Sequence, residues 1–423
     1  MKPRFLALGA LGAAAALAPA RAFVELARGE LQLSTSAVGT YDSRLLGGLQ
    51  PADDFYLTVD PRLLYRREAG LIRLDSYAGL RINRYRDFTA FNSEDFESDF
   101  KLALPPGAGA PFSGTFNAGY NERSDVNYDV NRRVRERIFV TRLNSLVPVG
   151  LKTSLLLGGS FERDQRNLFS DRDAWDGSAG FKYADFLQGT DLTLSYRHLR
   201  VSTSGDNAMS APLDQDSDLY AVALSRPVYD QIHASLSYGY RVLHRSRAET
   251  FAGQASSNGS VIDAELTGPF LPASVFPKLE SSLSLGYQQA DTPGINDTGG
   301  SRFIGSADCT WNARPHTQCD GKLHRALVLT IDDRTVETTG ANTGVIEHVG
   351  QFLTASADLG YEHRQYRGFD RHEDDLSGNA ALNYRIAANW TASADYTYHS
   401  ADSTDFGANY DRSVVSVSAN YTF

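Results

Sequence analysis

Strict alternation constrains this chain more than any other feature, and it is clearest in the last eleven residues, Ser413-Val-Val-Ser-Val-Ser-Ala-Asn-Tyr-Thr-Phe423. Val415, Val417, Ala419, Tyr421 and Phe423 fall on one side of a strand; Ser416, Ser418, Asn420 and Thr422 fall on the other. Successive strand side chains point to opposite faces, so the segment has one apolar and one small-polar face. A strand with lipid on one side and water on the other needs that division. Soluble strands alternate as well, so the inference depends on repetition.

The pattern repeats. Leu57, Val59, Leu63 and Tyr65 alternate with Thr58, Asp60 and Arg62, and a tight turn follows near Glu68-Ala69-Gly70. Ile72, Leu74, Ala78, Leu80 and Ile82 then alternate with Arg73, Asp75, Tyr77, Gly79 and Arg81. The unit returns around Leu155, Leu194, Leu236, Leu285, Leu359 and Ala394. The polar faces carry Arg, Asp and Glu repeatedly, which a packed sandwich core would not bury unpaired. Tyr65, Tyr196, Tyr240, Tyr287, Tyr361 and Tyr398 sit at strand ends, with Tyr421 and Phe423 closing the chain. Aromatic girdles occupy such positions at the two membrane interfaces. The expected fold is all-β: a single transmembrane antiparallel β-barrel of about 18 strands. Residues 291–350 read weakest; a strand over Ser301–Trp311 with a further pair would give 20, and lost strands would give 16. A barrel of this size encloses an aqueous lumen.

The N-terminus indicates export. Lys2 and Arg4 form a positive region, Phe5 to Leu17 is apolar, and Ala20-Arg21-Ala22 is a cleavage pattern. The apolar run falls short of the roughly 20 residues of a membrane-spanning helix. Residues 1–22 are therefore expected to be a signal peptide, and 23–423 the barrel. The net charge of −10 argues against nucleic acid as a partner. Cys309 and Cys319 lie close together in a polar, turn-rich stretch, and in an oxidising compartment a disulfide closing a loop is expected. His316 and His324 add too few ligands for a metal site. Short turns are expected on the periplasmic side and long loops outside, at 43–53, 84–93, 123–133, 164–171, 204–216, 246–257, 291–321 and 402–409. About eight residues separate the cleavage point from the first strand, so no plug domain is expected ahead of the barrel.

The terminal strand, ending on an aromatic, resembles the C-terminal signal of bacterial outer-membrane proteins, which the barrel-assembly machinery reads in that family. Val38-Gly-Thr-Tyr-Asp-Ser43, followed by Asp54, Val59 and Pro61, together with Leu285-Gly-Tyr287 and Leu359-Gly-Tyr361, resembles the β-barrel porin type often encoded beside exopolysaccharide-synthesis genes of Gram-negative bacteria. The resemblance implies an outer-membrane location, contact with outer-membrane lipid, and a part in polysaccharide export or surface passage.

The functional candidates are charges on the inward faces: Arg62, Arg66, Arg73, Asp75, Arg81, Lys152, Glu162, Asp191, Arg197, Arg241, Asp358, Glu362 and Asp395. Fixed charges in a water-filled pore tune which solutes pass. The bland reading is that they pair across the lumen and keep it hydrated; with both signs mixed, no strong ion selectivity is expected. Catalysis is not expected. His399 and Ser400 are adjacent and point to opposite faces, and Asp370 to Asp375 reads as solvated loop. Asp214, Asp216 and Asp218, or Asp171 and Asp173, lack the Gly and bidentate Glu of a calcium loop. No cofactor is expected. The expected function is a passive channel or export conduit. The reading from a different class is a structural or adhesion barrel whose loops bind polysaccharide or a partner protein. Oligomeric state is not legible.

Overall fold

Alternating segments of this kind cannot satisfy their backbone groups alone in a membrane, and only a closed ring of strands leaves no edge. The computed structural model describes residues 24–46, 52–106, 111–127, 132–167, 169–204, 214–229, 231–245, 256–269, 276, 278–288, 302–329, 335–366, 370–404 and 409–422. The segment 1–22, expected to be a signal peptide, and Phe423 lie outside them. A short strand β1 (Val24–Leu26) precedes β2 (Gly29–Asp42), β3 (Asp54–Ala69), β4 (Ile72–Tyr85), β5 (Ser93–Leu104), β6 (Ser113–Asn127) and β7 (Arg132–Pro148). The wall continues through β8 (Thr153–Arg166), β9 (Asp171–Leu187), β10 (Thr190–Ser204), β11 (Asp214–Tyr229), β12 (Ile232–Arg245), β13 (Ser256–Thr267) and β14 (Leu279–Gln288). It ends with β15 (Arg302–Arg314), β16 (Thr317–Leu329), β17 (Thr335–Val349), β18 (Leu353–Tyr366), β19 (Arg371–Ala387), β20 (Trp390–Ser403) and β21 (Tyr410–Thr422).

From β2 onward every strand pairs antiparallel with its sequence neighbour, and β21 returns to β2 with Ser34 opposite Thr422 and Asp42 opposite Val414. The barrel therefore has 20 strands, with β1 outside the ring, rather than about 18. Leu31 lies opposite Tyr65 of β3 on one edge and Val24 of β1 on the other. Strand β1 thus lies on the β21 edge of β2, past the end of β21. Its two-residue hairpin holds Ala27 and Arg28 at φ 51 and 67, the left-handed values such a turn requires. The Tyr65 hydroxyl donates to the Leu26 carbonyl at 3.1 Å and ties the hairpin to the wall.

The two additional strands are β15 and β17, inside the region where the sequence reads weakest. On their outward faces lie Gly305, Ala307 and Cys309, and Thr339, Ala341 and Thr343. Small residues give no hydrophobic alternation, yet backbone pairing needs none. The 291–321 loop is corrected accordingly: residues 302–329 form the β15–β16 hairpin, and 291–301 lie outside the described residues. The cysteines sit on that hairpin as free thiols, not in a loop as a disulfide. Cys309 faces Gly321 and Cys319 faces Trp311, so the pair is diagonal in the ladder. Diagonal neighbours are roughly 7–8 Å apart, beyond the ~4.4–6.8 Å between Cα atoms that a disulfide spans. Strand β11 also runs past Pro227 to Tyr229, with the irregularity between Pro227 and Tyr229 absorbing the missing N–H.

Connections at one end of the barrel are mostly tight. Residues 70–71, 188–189, 315–316 and 388–389 are two-residue links, and Gly70 and Gly189 supply positive φ there. The opposite end carries longer links, including 43–53, 86–92, 205–213 and 246–255; of these, 47–51, 205–213 and 246–255 lie outside the described residues.

Candidate functional site: the lumen and its outer mouth

Residues directly opposite in a ladder share a face, so the register carries one assignment around the whole ring. The outward set includes Leu285, Leu323, Leu359 and Val417, all about 60% exposed with no protein cover. The complementary set is polar and faces in. It contains twelve of the thirteen expected charges: Arg62, Arg66, Arg73, Asp75, Arg81, Glu162, Asp191, Arg197, Arg241, Asp358, Glu362 and Asp395. Lys152 is the exception. It sits in the β7–β8 turn and donates to Asp185 at 2.7 Å, which raises its ammonium pKa.

Most inward charges are paired along the wall. Arg62 binds Asp60 and Glu97, each at 2.7 Å, and Arg81 reaches Glu97 at 3.3 Å. Arg66 pairs with Asp75 at 2.8 Å, Asp191 with Lys182 at 2.8 Å and Arg197 with Asp176 at 2.6 Å. Arg172 bonds Glu162 at 3.3 Å, and Glu362 holds Arg364 at 2.6 Å and His324 at 3.3 Å. Arg73, Arg241, Asp358 and Asp395 make no ion pair among the described residues. Glycines let side chains lie flat against the wall. A Cβ on Gly344 would collide with the carboxylates of Asp320 and Asp358, and one on Gly286 would lie 2.6 Å from Asp263 Oδ1.

The long-loop end holds residues that sequence reasoning missed. Asp42 is fully buried and takes Arg412 in a two-pronged bond, Nε to Oδ1 at 3.0 Å and Nη2 to Oδ2 at 2.7 Å. Asp54, also fully buried, accepts the backbone N–H groups of Asp87 and Phe88 and folds the 86–92 link down onto it. The Asp370–Asp375 stretch is largely strand, not loop. Arg371, Glu373 and Asp375 face in, while His372 and Asp374 face out.

The girdle candidates Tyr65, Tyr196, Tyr240, Tyr287, Tyr361, Tyr398 and Tyr421 all face out. Tyr240, Tyr287, Tyr361 and Tyr398 are each the ninth residue of their strand from the short-turn end. The row therefore stands one strand height from the short-turn end, the roughly 9–11 residues that a tilted strand needs to cross a hydrocarbon layer. Beyond it the outward face turns polar. Tyr196 and His198 both bind Asp218, at 2.6 and 2.8 Å, and Tyr361 and His363 bind Asp374 at the same distances. Tyr421 lies against Trp390 at the short-turn end, the two rings tilted by 44° with centroids 4.6 Å apart.

Residues 244–423 match the family model described as "Putative beta-barrel porin 2". The chain has an outer-membrane β-barrel fold and resembles that porin family. No curated protein sequence matches it. Among solved structures, the FrpB iron transporter from Neisseria meningitidis superposes with a TM-score of 0.54 at 8% identity, covering 93% of this chain and 81% of its own. The ferric citrate transporter FecA gives 0.52 at 10% identity, with 93% and 78% covered. The ferric-catecholate import receptor Fiu from E. coli K12 gives 0.52 at 7%, with 92% and 81% covered. At such identities the likeness is one of fold. The porin-like barrel has no enzyme among these relatives. Its His399 faces the lumen and Ser400 the outside, so they form no catalytic pair.

Proposed function

We propose that this porin-like barrel is a passive channel across the Gram-negative outer membrane, passing small hydrophilic solutes through a hydrated lumen. The observation that carries this reading is the continuous inward face of charged and polar side chains around 20 strands. In the finer form of the proposal, the solutes include saccharides or exported polysaccharide. The support is the porin family match together with the resemblance to the type encoded beside exopolysaccharide genes. The inward charges act as solute filters, and their mixed signs leave ion selectivity weak. Residues 1–22 serve as the export signal, and the terminal strand engages the barrel-assembly machinery.

Planar-bilayer recording of the purified protein tests this. Stable, step-like conductance that added saccharides block supports both levels of the proposal; steps without blockade retain the channel and remove the saccharide. Silence from a correctly folded barrel transfers the assignment to a structural or adhesion role. One observation favours that second reading: side chains are buried at the outer mouth, where an open tube would leave them wet.

A further inference from the structure

The wall opens on one side near the outer mouth. Strand β5 pairs with β6 up to Glu97 opposite Asn121, and there the two part. Strand β5 stays with β4, where Ser93 faces Asn83. Strand β6 continues through Asn127 paired with β7 alone. The Phe96 N–H lies 3.4 Å from the Glu122 carboxylate at the point of divergence. The six residues 122–127 form an overhang of roughly 20 Å at about 3.3 Å per residue.

That overhang leans over the lumen. Asp125 comes within 3.8 Å of the Arg412 guanidinium on β21, the same guanidinium that grips Asp42. From β21 to β6 is five strand steps through β2, β3, β4 and β5, or roughly 24 Å along the wall at about 4.8 Å per step. A contact of 3.8 Å therefore spans the opening rather than following the wall. On β7, Arg133 donates to the Tyr85 hydroxyl at 2.5 Å, with its guanidinium 5.1 Å from the Tyr85 ring and 5.0 Å from that of Phe91. Tyr85 faces in and is buried, with Phe91 of the 86–92 link edge-on to it at 6.1 Å.

We infer that the overhanging strand ends, residues 122–127 of β6 and 132–136 of β7, latched by Asp125 to Arg412 and by Arg133 to Tyr85 and Phe91, form the constriction that sets the size limit of the channel. The inference rests on the channel reading and deepens it by naming the size-determining residues. Both latch residues lie beyond the last β5–β6 pair, so replacing them leaves the wall ladder intact. Arg412 is unsuitable for the test because it is buried at the β2–β21 seam.

The test compares single-channel conductance of wild type, Asp125→Ala, Arg133→Ala and the double variant, with graded neutral polymers added to size the opening. The double variant is expected to conduct about twofold more and to admit larger polymers. A silent wild type with conducting variants equally supports the latch. Wild-type conductance and polymer cut-off left unchanged in the variants overturn the latch while the channel stands. Silence in all four folded proteins overturns both.

Discussion

At the residue scale, the buried charge pair at the seam makes the firmest prediction. Arg412 and Asp42 are both buried and doubly bonded, so removing one partner leaves an uncompensated charge. Arg412→Ala should cost about 3–5 kcal/mol, read as a lowered midpoint of chemical unfolding in detergent or lipid. A change of less than about 1 kcal/mol would mean that the pair is wet. Asp374, whose side chain is 43% exposed, should behave differently. Although Tyr361 and His363 both bond to it, Asp374→Ala is expected to cost no more than about 1 kcal/mol on the same assay. The thiols give a second residue-level check. Cys309 and Cys319 lie diagonal in the ladder as free cysteines. Unfolded, non-reduced protein should take up two maleimides by mass, whereas none taken up would restore the disulfide.

At the element scale, the claim most open to test is which face of each strand meets lipid. On β18, Leu359 faces out and is 62% exposed, while its neighbour Asp358 faces in. Leu359→Arg should destabilise by about 2–4 kcal/mol if the residue sits near the bilayer midplane, whereas Asp358→Arg should be tolerated in the lumen. Equal effects would refute the register-based assignment for that wall. Strands β15 and β17 carry outward faces too small and polar to read as hydrophobic alternation. A strand is held in a barrel by hydrogen bonds to both neighbours, so its outward face need only be compatible with lipid. Thr339, Ala341 and Thr343 on β17 meet that requirement without looking hydrophobic. Leu323 of β16 and Leu359 of β18 lie nearby on the flanking strands and keep that stretch of the outer face apolar.

At the whole-molecule scale, closure makes the strands one object. Both edges of β2 are occupied, and β1 covers the part of its edge that β21 does not reach. Mixed charge around the lumen predicts a reversal potential near zero in a salt gradient. A strongly cation- or anion-selective channel would show that the wall pairs do not hold in the conducting state. Mass spectrometry of the exported protein is expected to find Phe23 at the N-terminus, in line with cleavage after Ala22.

Period-2 alternation was enough to determine the all-β class and the outward- and inward-facing sides of most strands, the tyrosines' outward facing included, because the facing of a side chain is local information carried by parity. Arg62, Arg241 and Glu362 could be assigned to the inward face on that basis alone. Only the tertiary structure decided the count of 20, the strand location of the cysteines, the Arg412–Asp42 seam and the reach of Asp125 across the mouth. Each of these depends on which distant segments pair, or on where two strands part. Backbone hydrogen bonds and ring closure settle those questions, and they leave no periodic mark in the sequence.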